Sequence, residues 1–288
     1  MPGSWLQLAL KAAPESLDTI SNFLIERGST GVVLTKNGVR AYFPSAEKGS
    51  SLKRDVQRFL DTVRQLHPAI RSERPRWTLL KDRNWNRSWR RFFSPQKIGS
   101  SFWVAPPWID RPRSGRRKII TIEPGMAFGT GTHFTTRSCL EMIEEAVSFI
   151  APGKFQALDV GTGSGILAIG LALLGAKRVC ALDTDPAALR VAKTNLRRNG
   201  VERIVRLFNK GPEEIDGCFD LVVANLTAET LIELSGPLRE RVLPRGFMIL
   251  SGIITAKAAQ VRSCFGSASV VRRLRQKEWT TFLLRKRG

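Results

Sequence analysis

The sequence predicts an α/β protein: a doubly wound, mostly parallel sheet ending in an antiparallel strand pair, preceded by a small α+β domain. Three observations carry this. From about residue 119 onward, apolar runs of strand length alternate with stretches of helical periodicity. A glycine-rich turn, Leu158-Asp159-Val160-Gly161-Thr162-Gly163-Ser164-Gly165, follows an apolar strand-like stretch and opens the apolar run Ile166 to Leu174. The last two strand-like stretches, Ser269–Leu274 and Trp279–Leu284, are joined by Arg275-Gln276-Lys277-Glu278 with no helix between them.

In chain order, Trp5 to Leu10 alternates apolar positions as a strand does. Glu15 to Glu26 places Leu17, Ile20, Leu24 and Ile25 at helical spacing and ends at Gly28. Thr30–Thr35 and Val39–Phe43 are short β-branched runs around Lys36-Asn37-Gly38, and Asn-Gly is a strong hairpin signal. Leu52 to Leu66 is a second amphipathic helix with Leu52, Val56, Phe59, Leu60 and Val63 on one face. Arg74 to Lys81 closes the set as a fourth strand. The order β-α-β-β-α-β is that of a ferredoxin-like domain, over residues 1–81.

Residues 82–118 read as a linker. It carries Trp85, Trp89, Phe92, Phe93, Phe102, Trp103 and Trp108 among many arginines. Such aromatics pack a connection between domains; interleaved with cations they can also stack on single-stranded nucleic acid. Residues 119–288 form the second domain. Its strand candidates are Gln156–Val160, Val179–Leu182, Ile204–Leu207, Leu221–Ala224 and Phe247–Leu250, with helices near 135–149, 164–174, 186–199, 228–241 and 256–265.

The composition excludes several classes. At 288 residues and 42% hydrophobic, the chain can bury real cores. No stretch reaches the roughly 18–20 uncharged apolar residues of a membrane span, and the start lacks the pattern of a secretory signal. Cys139, Cys180, Cys218 and Cys264 are scattered, with no C-x-x-C and no nearby His, so neither a metal site nor a disulfide framework is expected and a reducing cytoplasm fits. The net charge is +21. Residues 1–120 carry 23 basic and 9 acidic groups, a net of +14, against 23 and 16, or +7, in the remainder. Such a surface suits a polyanionic partner or environment.

The glycine turn carries chemistry. Strand, glycine turn and helix present free backbone N–H groups to a nucleotide-like ligand. A dinucleotide fingerprint wants its third glycine three residues after the second. Here Ile166 holds that position and Gly165 comes one residue early, which suits a nucleoside lacking a pyrophosphate. Asp183, after the apolar Val179–Leu182, stands where a carboxylate accepts both ribose hydroxyls. The terminal antiparallel pair on a parallel sheet is a feature of class I methyltransferases and not of plain dinucleotide-binding sheets.

Ahead of the turn lies Glu123-Pro124-Gly125-Met126-Ala127-Phe128-Gly129-Thr130-Gly131-Thr132-His133-Phe134-Thr135-Thr136, a loop able to cover a ligand. Together, Ala127 to His133 with Thr135-Thr136, Asp159 to Ile166, Asp183-Thr184-Asp185-Pro186, Asn225-Leu226-Thr227-Ala228, Trp85-x-x-x-Trp89-x-x-Phe92 and Ser251-Gly252-Ile253 resemble the ribosomal protein L-eleven methyltransferase family over nearly the whole length. Two departures are visible. Glu123 stands where an aspartate is usual, and Asn225-Leu226-Thr227-Ala228 replaces a more apolar quartet.

The resemblance implies a Rossmann-like class I methyltransferase domain that uses S-adenosylmethionine. It implies methylation of amino groups, lysine side chains and/or the N-terminal α-amine, on ribosomal protein L-eleven, with the ferredoxin-like domain recognising that substrate. It further implies a cytoplasmic monomer with no membrane partner and no metal, with rRNA or ribosome proximity through the basic N-terminal portion. Thr136 would lie at the methionine end. Gly161 and Gly163 would let backbone approach the cofactor, Asp183 would hold the ribose, and Phe128 and Thr132 would line the pocket. Asn225 would sit beside the methyl group as the catalytic side chain, while His133 would order the loop. The alternatives are an RNA methyltransferase of the same fold and a non-enzymatic ribosome- or RNA-binding protein.

Overall fold

A computed structural model describes residues 4–13, 16–35, 38–44, 49–66, 74–81, 94–109, 115, 117–123, 133–150 and 154–288. The chain divides into two compact units, 1–93 and 94–288.

In the first unit the elements are β1 (Ser4–Lys11), α1 (Leu17–Glu26), β2 (Gly31–Thr35), β3 (Gly38–Pro44), α2 (Gly49–Leu66) and β4 (Arg76–Lys81). The strands form one antiparallel sheet in the order β2-β3-β1-β4, the ferredoxin-like arrangement that the element order predicts. Alternation along β1 sends Leu8 and Leu10 to the helix-covered face, where they meet Ile20 and Leu24 of α1 and Val56 and Leu60 of α2. Phe23 of α1 stacks on Phe59 of α2 at 3.8 Å between ring centres. β2 and β3 pair up to Thr35 opposite Gly38, where the Asn-Gly signal places a hairpin.

The second unit begins with β5 (Gln96–Ile98), β6 (Phe102–Ala105) and β7 (Lys118–Thr121), a small sheet in the order β5-β6-β7. Residues 94–118 were expected to be linker. Instead Ile98, Phe102 and Val104 are buried in the main core of this unit. Runs of three and four residues give too little periodicity to reveal strands in sequence.

Then follow α3 (Phe134–Ser148), β8 (Gln156–Val160), α4 (Ile166–Leu173), β9 (Arg178–Leu182), α5 (Pro186–Arg198), β10 (Val205–Phe208), β11 (Phe219–Asn225), α6 (Ala228–Glu233), α7 (Ser235–Glu240), β12 (Val242–Ile254), α8 (Ala258–Cys264), β13 (Ala268–Gln276) and β14 (Trp279–Lys286). They build a seven-stranded sheet in the order β10-β9-β8-β11-β12-β14-β13. β10 to β12 are parallel, and β14 runs antiparallel between β12 and β13. Both faces are covered, so the central strands are mostly apolar and two cores form, one under α3 and α4 and one under α6 to α8. Every residue of α4 from Ile166 to Ala172 is buried.

Two elements differ from the periodicity-based expectation. The single helix expected over 228–241 is two, because Pro237 lacks the N–H that a continuous helix would direct at Glu233. β12 is thirteen residues long rather than four, because Val242 pairs with Phe219 ahead of an irregularity that takes in Pro244 and Gly246, and Ser251, Ile253 and Ile254 go on pairing with β11 and β14.

Strand order reverses between β8 and β11, whose neighbours lie on opposite sides. A crevice at the carboxyl ends of such strands is where open α/β sheets bind ligands.

Candidate functional site

That crevice is a cleft of about 930 Å³, lined among others by Thr136, Gly161, Gly163, Asp183, Asn225 and Leu226. Five of the residues expected to form a site, contributed by three strand ends and the first turn of α3, therefore meet at one cavity. Phe128 and Thr132 lie outside the described residues, as do Trp85, Trp89 and Phe92 of the motif in the linker.

The glycine turn ties β8 to β9. The N–H groups of Gly161 and Thr162 donate to the carbonyl of Leu182 at 2.9 and 2.8 Å. Gly161 has φ +73°, and a Cβ there would strike the Leu226 side chain, which lies against it. Only glycine satisfies both conditions. The N–H of Gly163 donates to Asp183 Oδ2 at 2.9 Å, while the N–H of Asp185 donates to Oδ1 at 3.0 Å. Asp183 is thereby aimed into the cleft. It also puts a carboxylate where a pyrophosphate-binding turn leaves bare donors, so a dinucleotide diphosphate would meet repulsion. Asp185 in turn caps α5 by accepting from Ala187 N at 2.7 Å, with Pro186 in the first turn.

On the opposite wall, Asn225 ends β11. Leu226 N donates to Ser251 O at 3.1 Å, which holds the turn after β11 against β12. Gly252, at φ +80°, makes this approach possible: a Cβ there would collide with the Leu226 carbonyl and stand 3.2 Å from Asn225 Oδ1. Thr227 caps α6. Among the described residues, three that line the cleft carry a buried polar atom without a hydrogen-bond partner: Asn225 Oδ1, Thr136 Oγ1 and Asn195 Oδ1. Buried polar groups are normally paired, so orphans gathered at one cleft mark where a ligand's donors belong.

His133 does not line the cleft. Its Nδ1 lies 2.8 Å from Thr135 Oγ1 and accepts from Thr135 N, capping α3, and its ring meets Trp279 edge-on at 5.1 Å. It orders the start of α3. At the cleft's rim Glu123 pairs with Arg198. Asn195 was not singled out from the sequence; it is buried beneath the turn and donates through Nδ2 to Ser164 O at 2.8 Å. A lone Asn on the inward side of an amphipathic helix was its only signal.

Asp159 underlies the turn and is fully buried. Its Oδ2 accepts from Thr162 Oγ1 at 2.6 Å and from Ala168 N at 3.2 Å, while Oδ1 has no partner. Burial raises its pKa from 3.8 to about 7, opposed by the Thr162 and Ala168 bonds and reinforced by the charge of Asp183. The sign follows directly. Between the unfolded and folded pKa values the folded chain holds a proton that the unfolded chain has lost, so stability falls as pH rises through that window. The melting temperature is expected to drop between about pH 4 and 7, and Asp159→Asn to flatten that slope. Thermal melts across that range check it; equal slopes in both proteins would place the titrating group elsewhere.

Among the described residues no group of three or more His, Cys, Asp or Glu could hold a metal ion, and no helix is long and apolar enough to cross a membrane.

A parallel sheet with β14 inserted antiparallel between its last two strands, carrying a glycine turn and an acidic residue on neighbouring strand ends, defines a class I methyltransferase. The chain's relatives specify the class further. The chain belongs to the Ribosomal protein L11 methyltransferase (PrmA) family, whose profile matches residues 4–287. It is 35% identical over 304 residues to the ribosomal protein L11 methyltransferase of Citrifermentans bemidjiense, covering 99% of both chains. It is 36% identical over 306 residues to that of Geobacter sulfurreducens, covering 100% of both. The crystal structure of a ribosomal protein L11 methylase from Lactobacillus delbrueckii subsp. bulgaricus superposes with a TM-score of 0.62 at 31% identity, covering 67% of this chain and 99% of that one.

Proposed function

We propose that this protein transfers methyl groups from S-adenosylmethionine to amino groups, lysine side chains and/or the N-terminal α-amine, of ribosomal protein L11. The observation that carries the reading is the cleft itself: in a chain matched to its family from end to end, Thr136 and Asn225 present orphaned oxygens opposite the Gly161–Asp183 cradle. The donor set fits S-adenosylmethionine, because Asp183 supplies a fixed carboxylate for two ribose hydroxyls and already takes the Gly163 N–H that a phosphate would need.

Bound there, S-adenosylmethionine supplies a methyl already activated by its sulfonium. The chain's own residues then have little covalent work to do and act mainly by alignment. Asp183 holds the ribose, Gly161 and Gly163 admit the ligand close to backbone, and Thr136 donates or accepts at the methionine end. Phe128 and Thr132 join the pocket wall on the strength of the family resemblance. Asn225 Oδ1, with the Leu226 carbonyl, would accept the remaining N–H bonds of the incoming amine and so orient the amine's lone pair for transfer. The amine must arrive neutral. A free lysine with pKa roughly 10.4 is only about one part in a thousand neutral at pH 7.5. An apolar site and the neighbouring sulfonium both favour release of that proton, so a strong general base is unnecessary and His133 remains a cap.

The ferredoxin-like unit recognises the protein substrate, and the enzyme works in the cytoplasm as a monomer, with its basic N-terminal portion suited to rRNA or ribosome proximity. Incubation with labelled S-adenosylmethionine and either undermodified ribosomal proteins or rRNA tests the reading. Label in ribosomal protein L11 is expected; label only in RNA would overturn it.

A further inference from the structure

Two of the cleft's orphaned oxygens come from distant parts of the chain, Thr136 from the first turn of α3 and Asn225 from the end of β11. Between these elements lies a set of buried hydroxyls that the proposed chemistry does not touch. Thr281, in the middle of β14, is fully buried, and its Oγ1 stands 2.7 Å from Ser138 Oγ on α3 and 2.7 Å from Ser251 Oγ on β12. Ser138 Oγ reaches the carbonyl of Thr135 at 3.0 Å, and Ser251 Oγ reaches the same carbonyl at 3.2 Å. Three hydroxyls thus converge with one backbone carbonyl where α3 crosses β12 and β14, inside a core that is otherwise Leu140, Ile143, Ile249 and Leu283.

Each end of this set touches the cleft through backbone. Thr135 is the residue before Thr136. Ser251 accepts from Leu226 N through its own carbonyl and precedes Gly252, the glycine against which Asn225 and Leu226 close. Apolar side chains could fill the same space, but they slide. Hydroxyl bonds are directional and set a single register between helix and strands. Burial also pushes the thiol of the adjacent Cys139, which bonds Ser251, up to about 12, so it stays protonated and adds no charge to the cluster.

We propose that Thr281, with Ser138 and Ser251, positions the two walls of the cleft, holding Thr136 and Asn225 in the alignment that methyl transfer needs. None of the three touches the cleft; they are positioning residues, and the inference rests on the reading of the cleft as a methyl-donor site.

Thr281→Val keeps the side chain's shape and removes the hydroxyl. The expected result is a fall in kcat of about tenfold with the Kd of S-adenosylmethionine changed less than about threefold, since small misalignment costs turnover more than binding. Thr281→Ser is expected to restore kcat to within about twofold, because it restores the hydroxyl. Calorimetry gives Kd and labelled methyl transfer gives kcat. A Thr281→Val protein that melts lower but keeps wild-type kcat would overturn the inference, leaving the cluster a purely structural one. If that variant does not fold, Ser138→Ala, which keeps the Ser251–Thr281 bond, carries the test: kcat is expected to fall about threefold, and an unchanged kcat would overturn it. A wild-type protein that fails to bind S-adenosylmethionine would instead defeat the site reading itself.

Discussion

Replacing Asn225 by alanine is expected to lower the methyl-transfer kcat about a hundredfold while leaving S-adenosylmethionine binding within about threefold, the pattern of a contact made chiefly in the transition state. The physical basis is the position of Oδ1, buried at the end of β11 with no partner among the described residues. An orphaned acceptor is poorly solvated and already aimed, so it gains most when an amine N–H whose positive charge is growing arrives. Removing it also leaves Gly252 without the side chain packed against it. Steady-state kinetics against ribosomal protein L11, with calorimetry for the cofactor, separate the two effects. Equal losses in kcat and in cofactor affinity would make Asn225 a general binding residue.

Asp183→Ala is expected to act in the opposite sense, weakening S-adenosylmethionine by more than about fivefold, or more than about 1 kcal/mol, because two charge-assisted hydrogen bonds to ribose hydroxyls disappear. A second loss compounds the first. The same carboxylate receives the N–H groups of Gly163 and Asp185, so the glycine turn and the start of α5 lose their shared anchor. Asp183→Asn keeps an acceptor and is expected to fall between wild type and alanine. Unchanged affinity in Asp183→Ala by calorimetry would remove Asp183 from the site.

Much of this architecture is legible in the chain because its signals are local. The Asn37-Gly38 dipeptide marks the connection between β2 and β3, and the link of Arg275 to Glu278 between two apolar runs marks the antiparallel pair β13–β14. The early Gly165 argues against a pyrophosphate without reference to any structure. β5 and β6 were hidden because their burial comes from α4 and the main core, not from any period of their own. The division of the 228–241 stretch at Leu234, three residues before Pro237, was visible in principle, yet the apolar periodicity on both sides masked it.

Of the site, the sequence by itself determined the cast: a glycine turn, Asp183 twenty-two residues after Gly161, and Asn225 after an apolar strand. The glycine turn is the least selective part of the site, since its N–H groups donate to Leu182 and Asp183 rather than to a ligand. Only the tertiary structure decided what these residues face. It turned Asp183 inward through two backbone N–H groups and left Thr136 and Asn225 unpaired across the cleft. It also joined α3, β12 and β14 through Ser138, Ser251 and Thr281, which lie 113 and 30 positions apart along the chain. The reason is physical. Backbone propensity and hydrophobic period act over a few residues and are written locally, whereas the pairing or orphaning of a polar atom depends on partners that only folding brings within 3 Å.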